Sequence, residues 1–364
     1  MVFASDSGVS LHGDAARALA FVRAALLGYE PADDRRRHRE DEESGQLYLT
    51  SDALLGALPG HTTLIEYAAL GEHLAIWTAG RGRIDLSWVR LDRKQLEDLI
   101  ERWRSSLRGG PPEREESLAE ALDGYLIEPV RRFLPAAGDL IIVPDEILVR
   151  VPFAALRSSR THRYLVETFS VSVSSSASLY LQQLERNPVA DHRRWRALAV
   201  TNTKLVDPRS AALPGADAEA SEVLRLFPGS GTGSRGRDSI AEGPQEEIVH
   251  FSGHWSGRTN YRVGPDNVTV GRDVRLLILS ACGTSGLAGG FLARGVPAVV
   301  ASLWQIDDPA TAPFFRSFYE HLRAGADAAN ALRAAQLERL HAAGRALRTP
   351  EEWAGFQVMG FGGI

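Results

Sequence analysis

Short apolar runs closed by small or turn-forming residues alternate along this chain with longer stretches of helical spacing. Glu246–His254 (Glu-Glu-Ile-Val-His-Phe-Ser-Gly-His), Arg275–Thr284 (Arg-Leu-Leu-Ile-Leu-Ser-Ala-Cys-Gly-Thr) and Pro297–Trp304 have the unbroken apolar core of strands buried on both faces. Thr63–Tyr67, Leu74–Thr78 and Ile84–Val89 read as a meander, with Gly-Glu-His and Gly-Arg-Gly-Arg as its turns. Asp139–Val143, Tyr164–Val173, Ala197–Thr201 and Trp353–Gly360 supply further strands. Helical periodicity marks Asp14–Tyr29 (Leu19, Val22 and Leu26 on one face), Leu96–Leu107, Leu118–Phe133 with an interruption at Pro129, and Ala177–Glu185. It returns in Asp217–Leu226, Ala312–Arg323 and Ala326–Ala343, where Phe314, Phe315, Phe318, Tyr319 and Leu322 make a core stripe. Strands alternating with helices predict an α/β protein with a mainly parallel sheet flanked by helices on both faces.

Two stretches break this rhythm. Pro31–Gly45 is a mixed charge run, expected as a solvated linker, and Pro228–Gly243 is rich in Gly and Ser, expected as a surface loop. With 364 residues, the chain has room for about two domains or one large α/β unit. The expected divisions are residues 1–45 as a helix and charged linker, 46–165 as a first α/β half and 166–364 as a second. No apolar run approaches the roughly 20 residues of a membrane span, and the N-terminus has no basic-then-apolar leader. A cytoplasmic protein without membrane attachment is the expectation. The net charge of −5 carries no basic footprint for nucleic acid. Cys282 is the single cysteine, which excludes an intramolecular disulfide and a multi-cysteine metal site.

The chemistry gathers where the buried strands end. In open parallel sheets functional groups collect beyond the carboxyl ends of the strands, and His254, Cys282 and the Asp307–Asp308 pair all follow such runs. A thiol attacks a carbonyl as its thiolate, so it needs a neighbouring base. His250 lies inside its run and is expected as a packed, hydrogen-bonded residue. His254, after Ser252 and Gly253 at the exit, is the better base. Backbone amides beside Cys282 and His254 supply candidates for an oxyanion hole, and Gly253 and Gly283 permit close approach of a substrate carbonyl. The Asp307–Asp308 pair also fits helix capping ahead of Ala312.

Together, His-Phe-Ser-Gly-His (250–254), Leu-Ser-Ala-Cys-Gly-Thr (279–284) and Val-Val-Ala-Ser-Leu-Trp-Gln-Ile-Asp-Asp (299–308) resemble the CHAT domain of the caspase-like cysteine peptidases, a group that includes separase. Ile142–Leu156, Leu-Pro-Gly-Ala-Asp-Ala-Glu-Ala (213–220) and Trp353–Phe356 add to the likeness in the same order. The resemblance implies a caspase-like fold, with an N-terminal half (46–165) packed against a catalytic half (166–364). It implies peptide-bond cleavage by a dyad of His254 and Cys282, with Gly253, Trp255 and Gly283 supplying oxyanion or backbone contacts. It requires no metal or organic cofactor. Asp308, with Asp307 beside it, matches the acid that receives a basic residue before the scissile bond. Implied partners are a protein or peptide substrate and a regulatory protein, and the family's neighbourhood suggests bacterial defence. Three features depart from most relatives: Trp255 replaces a glycine after the histidine, and the segments from His254 to Cys282 and from Gly283 to Phe291 are short. The alternative is a catalytically weak or inactive caspase-like interaction module, with Trp255 shielding the dyad.

Overall fold

A computed structural model of the chain describes residues 51–107, 110–187, 191–202, 213–227, 231–233, 246–253, 273–306, 308–342 and 349–364. The helix α1 (Ser51–Ala57) leads into the meander of β1 (Thr62–Leu70), β2 (His73–Gly80) and β3 (Arg83–Arg90), followed by α2 (Arg93–Ser106) and α3 (Pro112–Leu126). Next come β4 (Gly138–Val143), β5 (Phe169–Val173), α4 (Ala177–Arg186), β6 (Ala197–Asn202), α5 (Pro214–Leu226) and β7 (Gly231–Gly233). The remainder is β8 (Ile248–Gly253), β9 (Leu276–Ser280), α6 (Ser285–Ala293), β10 (Ala298–Ser302), α7 (Asp308–Arg323), α8 (Ala328–Leu340), α9 (Pro350–Trp353) and β11 (Phe356–Gly360). The expected N-terminal helix and charged linker fall outside the described residues.

The strands join in one 11-stranded sheet of order β3-β2-β1-β4-β5-β11-β10-β9-β8-β6-β7. The β1–β4, β4–β5, β5–β11, β10–β9, β9–β8, β8–β6 and β6–β7 pairs are parallel. The meander pairs and β10–β11 are antiparallel. β11 is therefore where strand direction reverses, and ligand crevices in open α/β sheets form at such switches. Alternation along β8, β9 and β10 divides their side chains between two cores. Ile248, Leu276, Ile278, Ala298 and Val300 pack under α5, α7 and α8, and Val249, Phe251, Leu277, Leu279 and Val299 pack under α6. A third core lies beneath α2 and α3, around Ile65, Ile76, Trp103 and Leu122. Helices thus cover both faces, as the pattern predicts.

Local chemistry explains where the elements differ from expectation. The Leu118–Phe133 helix stops at Leu126, and Glu128–Phe133 continues as a 3-10 helix. Pro129 has no N–H to donate, and its ring disfavours a helical conformation in the residue before it. Within the expected Pro228–Gly243 loop, Gly231–Gly233 forms an edge strand on β6. The short Gly283–Phe291 segment holds most of α6, which begins at Ser285. The last strand begins at Phe356 rather than Trp353, because Pro350 opens a helical turn that ends on Trp353.

Candidate active site

Five buried residues, Leu-Leu-Ile-Leu-Ser, make β9, and the chain then turns sharply through Ala281, Cys282 and Gly283 into α6. Gly283 adopts φ +65°, a conformation that costs an L side chain roughly 1–2 kcal/mol. Thr284 stands at the N-cap of α6, yet its side chain does not cap that helix. Its hydroxyl instead donates to Leu279 O at 2.9 Å. Its N–H donates to Ser302 Oγ at 3.2 Å, and the Ser302 N–H returns a bond to Thr284 Oγ1 at 3.1 Å. Ser302 Oγ donates to the carbonyl of Ala281, and the Gly283 N–H donates to Trp304 O at 3.2 Å. The backbone on both sides of Cys282 is thereby tied to the exit of β10.

The exit of β10 is fixed in turn by α9 and β11. Leu303 N–H donates to Gly355 O at 2.8 Å, and Trp304 Nε1 donates to Glu351 O at 3.1 Å. Gly355 has no space for a side chain, since a Cβ there would run into Ile306 Cδ1 and crowd the Trp304 indole. On the other flank, β8 ends at Gly253, with Ser252 in register with Ser280 of β9. Ser252 Oγ donates to Ala216 O at 3.2 Å, which holds that exit against the first turn of α5.

These exits border a cleft of about 970 Å³ lined by Gly253, Cys282, Gly283, Trp304, Ile306 and Glu219, among others. Cys282 is partly buried. Burial pushes its thiol above the ordinary cysteine range, while hydrogen bonds from the N–H groups of Ile306 and of Cys282 itself pull the other way. A thiol in this setting is protonated at neutral pH and requires a base to remove the proton.

Of the residues singled out in the sequence, Gly253, Cys282 and Gly283 meet at this cleft. Donation to Trp304 O commits the Gly283 N–H, so in this arrangement it is not a free oxyanion donor. His254, Trp255 and Asp307 fall outside the described residues, and Asp308 is described only as the first residue of α7. His250 is fully buried, 2.7 Å from Tyr319 Oη through Nδ1 and 2.6 Å from Glu219 Oε2 through Nε2. That is the packed role expected for it. The sequence reading missed Ser302 and Glu219. An acid on the buried face of α5, in line with Ala216, Ala220 and Val223, was the signal available for Glu219. Among the described residues no group of three or more His, Cys, Asp or Glu is placed to hold a metal ion, and no helix is long and apolar enough to cross a membrane.

The topology is that of the caspase-like cysteine peptidase fold. It is shared with separase in the Saccharomyces cerevisiae separase–securin complex: TM-score 0.59, 10% identity, 85% of this chain and 30% of that one covered. The CHAT domain profile matches residues 116–263 and 266–361, and the chain belongs to that family. Curated relatives are tetratricopeptide repeat protein 28 of Homo sapiens, 26% identical over 334 residues, and of Mus musculus, 24% identical over 336. The matches cover 68% of this chain but only 13% and 14% of the relatives, so the chain spans a small part of their length.

Proposed function

We propose that the protein is a cysteine endopeptidase in which Cys282 is the nucleophile and His254 the general base, cutting protein substrates after a basic residue. One observation carries the reading. Cys282 is held at a strand exit by backbone bonds on both sides and opens into a cleft beside Gly253, the residue that His254 follows in the chain. Fixing the backbone while leaving the thiol accessible is the preorganisation that nucleophilic catalysis needs. As sulfur attacks the scissile carbonyl, the imidazole takes the thiol proton, then passes it to the departing amine. Water, deprotonated by the same imidazole, hydrolyses the thioester and restores the thiol. With the Gly283 N–H engaged and the Cys282 N–H turned to its own thiol, the N–H of Trp255 is the oxyanion donor we assign. Residues 46–165 support this catalytic half, and Asp308, with Asp307 beside it, is assigned to the basic substrate residue at the head of α7.

A raised thiol and a committed Gly283 N–H favour activation by a protein partner that adjusts the exit of β10. The separase relative is solved in a complex with securin, which supports a partner-controlled site. A defence setting rests on the family resemblance. The test is hydrolysis of fluorogenic peptides bearing Arg, Lys, Asp or Leu at the cleaved position, with and without candidate partner proteins. Cleavage after Arg or Lys that disappears in both Cys282→Ala and His254→Ala establishes the dyad. No cleavage in any arm, with or without candidate partners, replaces it with the interaction-module reading.

A further inference from the structure

Directly beneath the cleft, Glu219, His250 and Tyr319 form a hydrogen-bonded row sealed from solvent at 2%, 0% and 0% exposure. Its protons can be placed by counting donors and acceptors. Among the described residues the Tyr319 hydroxyl has one partner, His250 Nδ1 at 2.7 Å. If Nδ1 carried a proton, the Tyr319 O–H would be buried with no acceptor, which costs the unmet desolvation of that donor. The arrangement that leaves no donor of the row without an acceptor has the Tyr319 O–H donating to Nδ1 and the Nε2–H donating to Glu219 Oε2 at 2.6 Å. The imidazole is then neutral and Glu219 is an ionised carboxylate. Burial and the Glu219 charge both hold the Tyr319 hydroxyl well above the usual phenol range, which keeps it a donor.

One oxygen of Glu219 is occupied by His250, while the other has no hydrogen-bond partner among the described residues. Glu219 nonetheless lines the cleft, together with Ala216 one helical turn earlier, Thr311 of α7, Gly253 and Cys282. A buried carboxylate without a cation is costly, and pairing with an incoming cation offsets that cost. We propose that Glu219 is a specificity-determining residue whose buried negative charge receives the guanidinium or ammonium of the substrate residue before the scissile bond; this rests on the peptidase reading above. The row beneath it keeps that charge in place: Tyr319 fixes the His250 tautomer, and His250 holds the carboxylate's inner oxygen.

The decisive substitution is Glu219→Gln, which keeps the shape and an oxygen for the His250 Nε2–H but removes the charge. Peptides carrying arginine or its neutral isostere citrulline at the cleaved position are compared in two assays. One is kcat/KM with the full chain, and the other is peptide affinity in the Cys282→Ala background, which needs no turnover. The expected result is a fall of about 10- to 100-fold in the arginine-to-citrulline ratio in both assays, the scale of a lost charged hydrogen bond. An unchanged affinity ratio overturns the proposal. Absence of cleavage with a Glu219-dependent affinity ratio retains the basic-side-chain site and removes the peptidase reading. Nitrogen NMR of His250 in the unmodified chain stands apart from the variant's folding. A neutral Nε2–H tautomer supports the charge assignment, and an imidazolium or an Nδ1–H tautomer overturns it.

Discussion

The parallel strands β6, β8, β9 and β10 run between two depressions of opposite character. At their amino ends a hollow of about 560 Å³ is lined by Arg186, Arg196, Glu247, Asp273 and Arg275, among others. Its charged groups serve the fold. Glu247 Oε2 accepts the Arg196 N–H at 2.9 Å, and the Glu247 carbonyl accepts from Arg275 N at 2.8 Å. Arg275 Nη2 donates to Asn187 Oδ1 at 3.0 Å, and its guanidinium lies 5.9 Å from the centre of the Trp195 ring. At the carboxyl ends the bonds run through backbone and hydroxyl groups, and the thiol they surround opens into the cleft. On the proposed reading, density of charge is a poor guide to a reaction site. A fixed backbone under an accessible reactive group is a better one.

The largest difference between the two ends is expected at Cys282. Its replacement by Ala lowers peptide cleavage by about a thousandfold or more, the scale of losing a covalent nucleophile, whereas Arg275→Ala leaves turnover within about twofold because it touches no reacting group. A full effect of Arg275→Ala on kcat would show that the two ends are coupled. Next in size is Thr284→Val. It strips the Leu279 carbonyl and the Ser302 N–H of their shared partner in a buried site, at a cost of about 2–3 kcal/mol in denaturant unfolding. On the proposed peptidase reading, loosening the turn around Cys282 also lowers kcat by about tenfold with little change in KM, since the hydroxyl bonds only to the protein's own turn.

How much of this was legible beforehand follows from the range of the interactions. The thiol at the end of β9 could be read because its cause is local: a run of large apolar residues that stops at Ser-Ala-Cys-Gly. His250 was assigned to packing by alternation alone, and it is fully buried between α5 and α7. The Thr284–Ser302 clip and the Glu219 row join residues 18 and 31 positions apart, and no periodicity reports such pairs. Gly283 illustrates a subtler limit. Its residue type was read as room for a substrate carbonyl, whereas a Cβ there would meet nothing within 4 Å and the feature that favours glycine is the φ of +65°. The reversal of direction at β11 was likewise invisible, because strand pairing across nearly 200 residues leaves no mark in an apolar run.

The thiol supplies a smaller effect that separates the cleft from an ordinary solvent-exposed cysteine. Burial favours the neutral S–H form, so less thiolate is present at neutral pH than in free cysteine, and the reactive fraction keeps rising beyond the free value of about 8.5. Alkylation of Cys282 by iodoacetamide should therefore be slower than that of free cysteine at pH 7 and should climb with pH past that value. Addition of a partner that activates cleavage should move the profile to lower pH. A profile already shifted below that of free cysteine in the isolated chain would mean that the thiolate is formed before substrate arrives, and general-base removal of the proton would lose its place in the mechanism.

The smallest expected effect belongs to the amino-end hollow, and it tests whether that hollow is structural. Arg275 is held by one side-chain hydrogen bond to Asn187 and by stacking over Trp195, and its Nε is buried without a hydrogen-bond partner. The first two interactions stabilise the start of β9, and the third opposes them. Their sum makes Arg275→Ala cost about 1 kcal/mol in unfolding, near the middle of what single substitutions do. Arg275→Met should recover part of this loss, because it restores apolar contact with Trp195 without burying an unsatisfied N–H. Methionine no better than alanine would mean that the charge matters more than the packing. The hollow would then be a place where an anion binds, and the contrast between the two ends of the sheet would be one of ligands instead of one between architecture and chemistry.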